Sequence, residues 1–320
     1  MSAKGWLEYV VTEQDEGQTV EQIVREKLAV SGRMVQRLTR SKGIRLNRKN
    51  AYLKRTVKKG DKVAVRIADR ERTGAASLPE TEHPRILTKA PPVEILYEDD
   101  HLLVANKPAG MMVHPLRETD RATLVEALAA HFQVTGEASV AIPHPVHRLD
   151  KETSGAVLIA KSSYAHQLAD RVLRAGKLHR EYIALVSGRV EKNSGTIRAA
   201  IIRDGRHPTK RKWSEAGDPA ITHYEVLVRG TDTTLVKAWL ETGKTHQIRV
   251  HFSGLGHPLI GDRLYGGKGF GFFRQALHAY RLSFPHPLFD EVVEVLAPLP
   301  EDLRSYLAKA GYDEHLENGS

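Results

Sequence analysis

Residues 70–92, RERTGAASLPETEHPRILTKAPP, follow neither a helical nor a strand period and are rich in proline, threonine and charge. A stretch of this kind has no apolar face to bury, so it reads as a connector between separately packed bodies. The chain of 320 residues has room for two domains and a real core. The expected division is a small domain over 1–69, a linker over 70–92, a large domain over 93–311 and a loose tail over 312–320.

Charge divides the chain in the same way. Residues 31–62 hold twelve Lys/Arg against one acid, Asp61; this window carries +11 and leaves −2 for the remainder of a chain whose total is +9. A basic module attached to a nearly neutral body reads as a phosphate-binding surface, because each neutralised phosphate releases counterions. The alternative is a solvated basic face without a partner. Cysteine is absent, which excludes disulfides, thiolate metal sites and cysteine nucleophiles. No apolar run reaches the ~18 residues of a membrane helix. The opening MSAKGWLEYVVTEQDEG lacks the layout of a secretory signal. The expectation is a cytoplasmic protein without membrane contact; nothing resembles a coiled coil, and a monomer is expected.

Within the basic module, Trp6–Val11 alternates like a strand. Thr19 and Ser31 are placed to cap two helices, one carrying Val20, Ile23, Val24 and Leu28, the other Val35 and Leu38 with Arg33, Arg37 and Arg40 on its flank. Gly43–Asn47 and Val63–Ile67 read as strands, the latter after a Lys59-Gly60-Asp61 turn. From Val93 strands outnumber helices. Val93–Tyr97 and Leu102–Ala105 flank a hairpin signal; Ala156–Ala160, Tyr182–Val186, Thr222–Val228, Leu235–Leu240 and the alternating Gln247–Phe252 read as further strands. Tyr164–Ala175 and Leu303–Ala310 read as helices. Strands that follow one another through short turns predict an α+β fold, a mixed and mainly antiparallel sheet with flanking helices, not a doubly wound parallel one.

Three segments place polar groups beside glycine and buried strands: Asn106-Lys107-Pro108-Ala109-Gly110, His147 to Gly155, and Lys244 to His251. Asp150 lies at the lip of the apolar run Ala156–Ala160, where lost water disfavours a charge, so a reactive carboxylate there needs a cation. Arg249 is the natural supplier. The plain alternative is an aspartate capping a turn through Thr153 or Ser154. His147, His246 and His251 could form a three-histidine zinc site, but carboxylate chemistry needs no metal, and none is expected. Glu152 could pair with Asp150 as in a glycosidase or nuclease, yet two positions along a loop need not converge.

HRLDKETSGAVLIAKS (147–162) resembles the signature of the RluA-type RNA pseudouridine synthases, His-Arg-Leu-Asp followed by Thr-Ser-Gly. ANKPAGMMVHP (105–115), REYIALVSG (180–188), RHPTKRKWS (206–214) and GKTHQIRVHFSGLGHPLIGDRLYG (243–266) resemble further motifs of that family in the same order. The N-terminal part, with VKKGDKVAV (57–65), is similar to the small RNA-binding domain named after ribosomal protein S-four. It departs at Thr19-Val20-Glu21, where Arg-Leu-Asp is usual, and at Leu46-Asn47-Arg48, where Val-Asn-Gly is usual.

The resemblance implies an isomerase that converts uridine to pseudouridine in ribosomal RNA, first of all of the large subunit, or in transfer RNA, without a cofactor. It implies Asp150 as the nucleophile, attacking either ribose or uracil. Tyr182 would stack on the base, and Arg249 would pair with the aspartate. Arg148 would fill the space left by a flipped nucleotide. His147, Lys107, Lys210 and Arg211 are further candidates for the RNA or pocket surface, with Arg33, Arg37 and Arg40 on the N-terminal module. An RNA-binding or ribosome-assembly protein that keeps the fold without catalysis is the competing reading; the intact Asp150, Tyr182 and Arg249 set argues against it.

Overall fold

A computed structural model describes residues 5–67, 91–115, 122–136 and 142–312. Most of the expected linker and tail therefore lie outside the described residues.

The N-terminal domain contains β1 (Trp6–Val10), α1 (Val20–Glu26), α2 (Gly32–Arg40), β2 (Ile44–Leu46), β3 (Lys49–Asn50) and β4 (Lys62–Arg66). The strands pair antiparallel in the order β1-β4-β2-β3. Both helix starts follow from their caps. Thr19 accepts from the Gln22 backbone N–H while the Gln22 side chain reaches back, a capping box, and Ser31 accepts from Met34. Val20, Ile23, Val35, Leu38, Val63 and Val65 form the core, which leaves Arg33, Arg37 and Arg40 on the exposed face of α2.

The large domain runs through β5 (Glu94–Glu98), β6 (Leu102–Lys107), α3 (Leu124–Val134), β7 (His144–Pro145), β8 (Ser154–Ala160), α4 (Ser163–Arg174), β9 (His179–Ser187), β10 (Ser194–Arg198), β11 (Ile201–Arg203), β12 (Arg211–Trp213), β13 (Ile221–Arg229), β14 (Thr233–Leu240), α5 (Gln247–Gly254), β15 (Leu277–Pro285), β16 (Val292–Leu296) and α6 (Glu301–Ala310). Its main sheet has the order β10-β13-β14-β9-β15-β8-β6-β5, with β16 on β15 and β7 on β8. Among the described residues β8 and β15 are its one parallel pair, and the other pairings are antiparallel. The fold is the α+β arrangement with a mixed, mainly antiparallel sheet that the short-turn strand succession predicts.

The parallel pair depends on a residue without a side chain. Gly155 has φ +113°, and a Cβ there would lie 2.2 Å from the Ala279 carbonyl oxygen. Only glycine lets the two backbones approach so closely in that conformation.

The structure corrects one expected element. Gln247–Phe252 is not a strand but the body of helix α5. Its polar/apolar alternation does not divide outside from inside, because Gln247, Arg249 and His251 are buried together with Ile248, Val250 and Phe252. Each polar member has a tertiary partner: Gln247 bonds Ile221 O, Thr242 and Thr222; Arg249 bonds Asp150 and Asp262; His251 bonds Thr222 and Ala199 O. A period-2 pattern predicts a strand only where polar means exposed. Helix α3 was not foreseen, although Thr123-Leu124-Val125-Glu126 forms a capping box at its start.

The two domains share a core. Tyr164 and Leu168 of α4 pack among Val24, Leu28 and Met34 of the small domain. Tyr164 Oη donates to Leu28 O at 2.7 Å, Gln167 Nε2 donates to Ala29 O at 2.8 Å, and Ser31 N–H donates to Gln167 Oε1 at 2.8 Å.

Candidate active site

One row of paired residues crosses the sheet: Lys107, Gly155, Ala279, Tyr182 and Ala238. Cross-strand partners share a face. Ala279 and Ala238 are buried in the core of the domain, and Tyr182 is the member of the row that reaches the cavity beside Asp150. The Asp150 loop enters at the start of β8, next to the parallel pair. Thr153 N–H donates to Asp150 O and closes the turn through the backbone, which leaves the carboxylate available. That differs from the capping alternative, in which the side chain closes the turn.

The Asp150 carboxylate lies in a cavity of about 450 Å³ lined also by Arg148, Tyr182, His246, Arg249 and Arg180. Arg249 Nη1 donates to Asp150 Oδ2 at 2.9 Å. The other edge of the guanidinium grips Asp262 through Nε–Oδ2 at 2.6 Å and Nη2–Oδ1 at 2.9 Å. Burial works against the Arg249 charge, but Asp262 and Asp150 outweigh it and hold its pKa above the ordinary arginine value. Asp262, 2% exposed, orients the arginine in a fork geometry. It was missed in the sequence although it stands in the quoted GHPLIGDRLYG run.

Tyr265, from the same run, was missed as well. Its ring faces Arg249 at 5.0 Å and Lys210 at 5.7 Å. Its hydroxyl accepts from the Arg211 backbone N–H at 2.9 Å and shares a hydrogen bond with His246 Nδ1 at 2.8 Å. His246 Nε2 lies 3.9 Å from Asp150 Oδ2. His246 has φ 60° at the start of α5, a conformation that non-glycine residues seldom take.

Tyr182 is 5% exposed, and burial raises its hydroxyl pKa, so it stays a neutral aromatic surface in the cavity wall. Lys107 is fully buried; its ammonium donates to the carbonyls of Pro108, Met111 and Lys151 at 2.7–3.0 Å. It thereby ties the first polar segment to the loop of the second. Arg274 Nη1 and Gln275 Nε2 hold that loop from the other side, through Glu152 O and Thr153 Oγ1. His147 Nε2 accepts from the Leu158 N–H at 3.1 Å, and burial followed by the nearby Arg180 charge pushes its pKa down to about 3. Its neutral ring positions β8 beneath the Asp150 loop.

Arg148 is exposed at the cavity edge. Arg33, Arg37 and Arg40 do not line this cavity; they border a separate depression together with Gln36 and Ser41. Among the described residues no three of His, Cys, Asp or Glu converge as for a metal ion. The three histidines of the zinc alternative are engaged apart, with Leu158 N–H, Tyr265 and the Thr222–Ala199 pair.

Residues 101–254 match the RNA pseudouridylate synthase family, and residues 7–63 match the N-terminal domain of RluD ribosomal pseudouridine synthases. A Bacillus subtilis protein, "Uncharacterized RNA pseudouridine synthase YhcT", is 38% identical over 95% of this chain and 98% of its own length. The chain belongs to the RNA pseudouridine synthases. A ribosomal large subunit pseudouridine synthase D from Xylella fastidiosa is 42% identical over 70% of this chain and 71% of that one. Among solved structures, human RNA pseudouridylate synthase domain containing 4 superposes with a TM-score of 0.58 at 25% identity, covering 71% of this chain and 95% of that one. Human RNA pseudouridylate synthase domain containing 1 gives 0.55 at 30%, covering 65% and 84%. The described residues of this pseudouridine synthase include no helix long and apolar enough to cross a membrane.

Proposed function

We propose that this pseudouridine synthase modifies uridine in large-subunit ribosomal RNA, with Asp150 as its nucleophile. The observation that carries the mechanism is the Asp150 carboxylate held at 2.9 Å by Arg249 inside a cavity that Tyr182 walls. The large-subunit assignment rests on the RluD-type N-terminal match and on relatives named for that RNA; transfer RNA is the second candidate.

A uridine stacked in RNA cannot reach a carboxylate at the bottom of a cavity, so the nucleotide turns out of its stack. Arg148, exposed at the rim, is placed to occupy the vacated position with its planar guanidinium. The uracil lies against Tyr182, a contact worth ~1–3 kcal/mol for a stacked base. Asp150 attacks ribose or ring, the bond from C1′ to N1 breaks, the base rotates, and C1′ bonds to C5. The C5 proton is lost and N1 gains one, so substrate and product are isomers and the balance requires no redox equivalent or group donor. The small domain, over 1–69, supplies RNA affinity through Arg33, Arg37 and Arg40, and the domain over 93–311 carries the chemistry.

Asp150→Asn tests the reading. Asparagine keeps size and hydrogen bonding but is not an anionic nucleophile. Pseudouridine mapping in total RNA from cells carrying this variant should show loss of the wild-type sites, while the purified variant still folds and binds RNA. Turnover by this variant near the wild-type rate would refute the assignment of Asp150.

A further inference from the structure

Arg180 stands two positions before Tyr182 on β9, and so on the same face of the strand. It is 9% exposed. Among the described residues its buried Nε has no hydrogen-bond partner, and the acids that line its surroundings pair with other cations. A Cβ on Gly243 would come within 3.0 Å of Arg180 Nη1, so the guanidinium rests against the backbone of the loop that leads to Arg249. It lines the Asp150 cavity and also an adjoining groove of about 330 Å³.

The charges around it are otherwise accounted for. The acids of the cavity, Asp150 and Glu241, are taken by Arg249 at 2.9 Å and His223 at 2.6 Å. Those of the adjoining groove, Glu181 and Glu225, pair with Arg281 at 3.2 Å and Lys237 at 2.9 Å. Of the cavity's other cations, Arg174 and Lys244 have Asp170 and Asp218, and Arg148 is exposed to water. Among the described cations that line this cavity, Arg180 alone is both nine-tenths buried and without a counter-ion. An arginine stays charged at any physiological pH, and a buried charge without a partner is costly. No anion among the described residues is left for it, and uracil is neutral. The anion that enters with the substrate is the RNA backbone.

We infer that Arg180 binds a phosphate flanking the flipped uridine, its planar fork holding two phosphate oxygens while Tyr182 holds the base. The inference rests on the pseudouridine synthase reading of this cavity and adds to it the group that recognises the nucleotide's charge. Binding would thereby cancel an uncompensated charge, and a nucleotide would be favoured over its base or nucleoside.

The test is a two-by-two comparison. A stem–loop containing the mapped uridine is made with ordinary linkages and with a neutral methylphosphonate at each flanking phosphate in turn, the adjoining 2′-hydroxyl being methylated in both. Wild type and Arg180→Met are compared for Kd and kcat/KM. For wild type, one neutral linkage should weaken binding by about 10- to 100-fold. Arg180→Met should bind ordinary RNA as weakly as wild type binds the neutral RNA, and lose less than about threefold more on it. Arg180→Lys keeps the charge without the fork and should respond in between; it serves as the test if Arg180→Met does not fold, judged by its melting temperature. If wild type and folded variant show the same penalty for both neutral linkages, Arg180 does not hold a phosphate. If wild type modifies no uridine at all, the enzymatic reading fails and this assignment with it.

Discussion

Arg249 is shared by two carboxylates with different surroundings. Asp262 is buried and receives two hydrogen bonds, whereas Asp150 receives one and faces the cavity. The bidentate bond fixes the guanidinium plane, and that plane aims Nη1 at Asp150. Removing one partner of a buried pair leaves the other uncompensated, at about 3–5 kcal/mol. Asp262→Ala should therefore lower the unfolding free energy by about that amount. Asp262→Asn, which can still accept one bond, should fold better yet lose kcat more than RNA affinity. Denaturant unfolding and single-turnover kinetics of the pair check this; a stable Asp262→Ala variant with wild-type kcat would contradict the orienting role.

Between β2 and β3, Asn47 and Arg48 both take left-handed backbone, at φ 48° and φ 67°. A tight hairpin with the favoured twist requires two such residues, and asparagine followed by glycine suits it best. Arg48 stands where the resembled RNA-binding domain usually has glycine. Left-handed backbone costs a residue with a side chain about 1–2 kcal/mol. Glycine removes that strain but adds conformational entropy to the unfolded chain, so Arg48→Gly should gain about 0.5–1 kcal/mol net. Thermal melting measures it, and an unchanged or lower Tm would show no strain at this turn. Helix α5 illustrates the opposite relation between pattern and element. Its alternation came from polar side chains that found buried partners on strand β13, on the Asp150 and Asp262 turns and on the loops at Ala199 and Thr242.

Across the whole molecule, the shared core at Tyr164 and Leu168 makes the basic domain a structural partner as well as an RNA surface. Deleting residues 1–67 would uncover both side chains and the Gln167 amide. The remaining domain should melt at lower temperature and bind RNA with a flatter salt dependence. If about 4 of the basic side chains contact phosphates, the log–log slope should fall by ~3–4 units on duplex-like RNA. An unchanged slope in a folded truncation would show that the module does not hold RNA. Acid should act through buried neutral histidines. Burial holds His147 at about 3 and His278 at about 4, against ~6.5 in an unfolded chain. Between these values the unfolded state binds more protons, so stability is complete above pH ~6.5 and falls as pH drops toward ~4, by up to about 1.4 kcal/mol per pH unit for each histidine. Denaturant midpoints from pH 7 to pH 4.5 should show this slope, and His278→Gln should reduce it. Equal slopes in the two proteins would mean that His278 is not the group that titrates.

The sequence by itself determined the ordered motifs, the +11 basic window and strands β5, β6, β8, β9, β13 and β14, because these depend on residue type and short-range spacing. It also brought out Asp150, Arg249 and Tyr182, each of which stands in a recognisable run. Tertiary structure decided what those residues face. The row Lys107, Gly155, Ala279, Tyr182 and Ala238 draws on five strands and exists only once these meet in register. The buried Asp262 and the unpaired Arg180 have ordinary neighbours in sequence. Their roles come from burial and from the presence or absence of an opposite charge, and both are properties of distances between segments far apart in the chain.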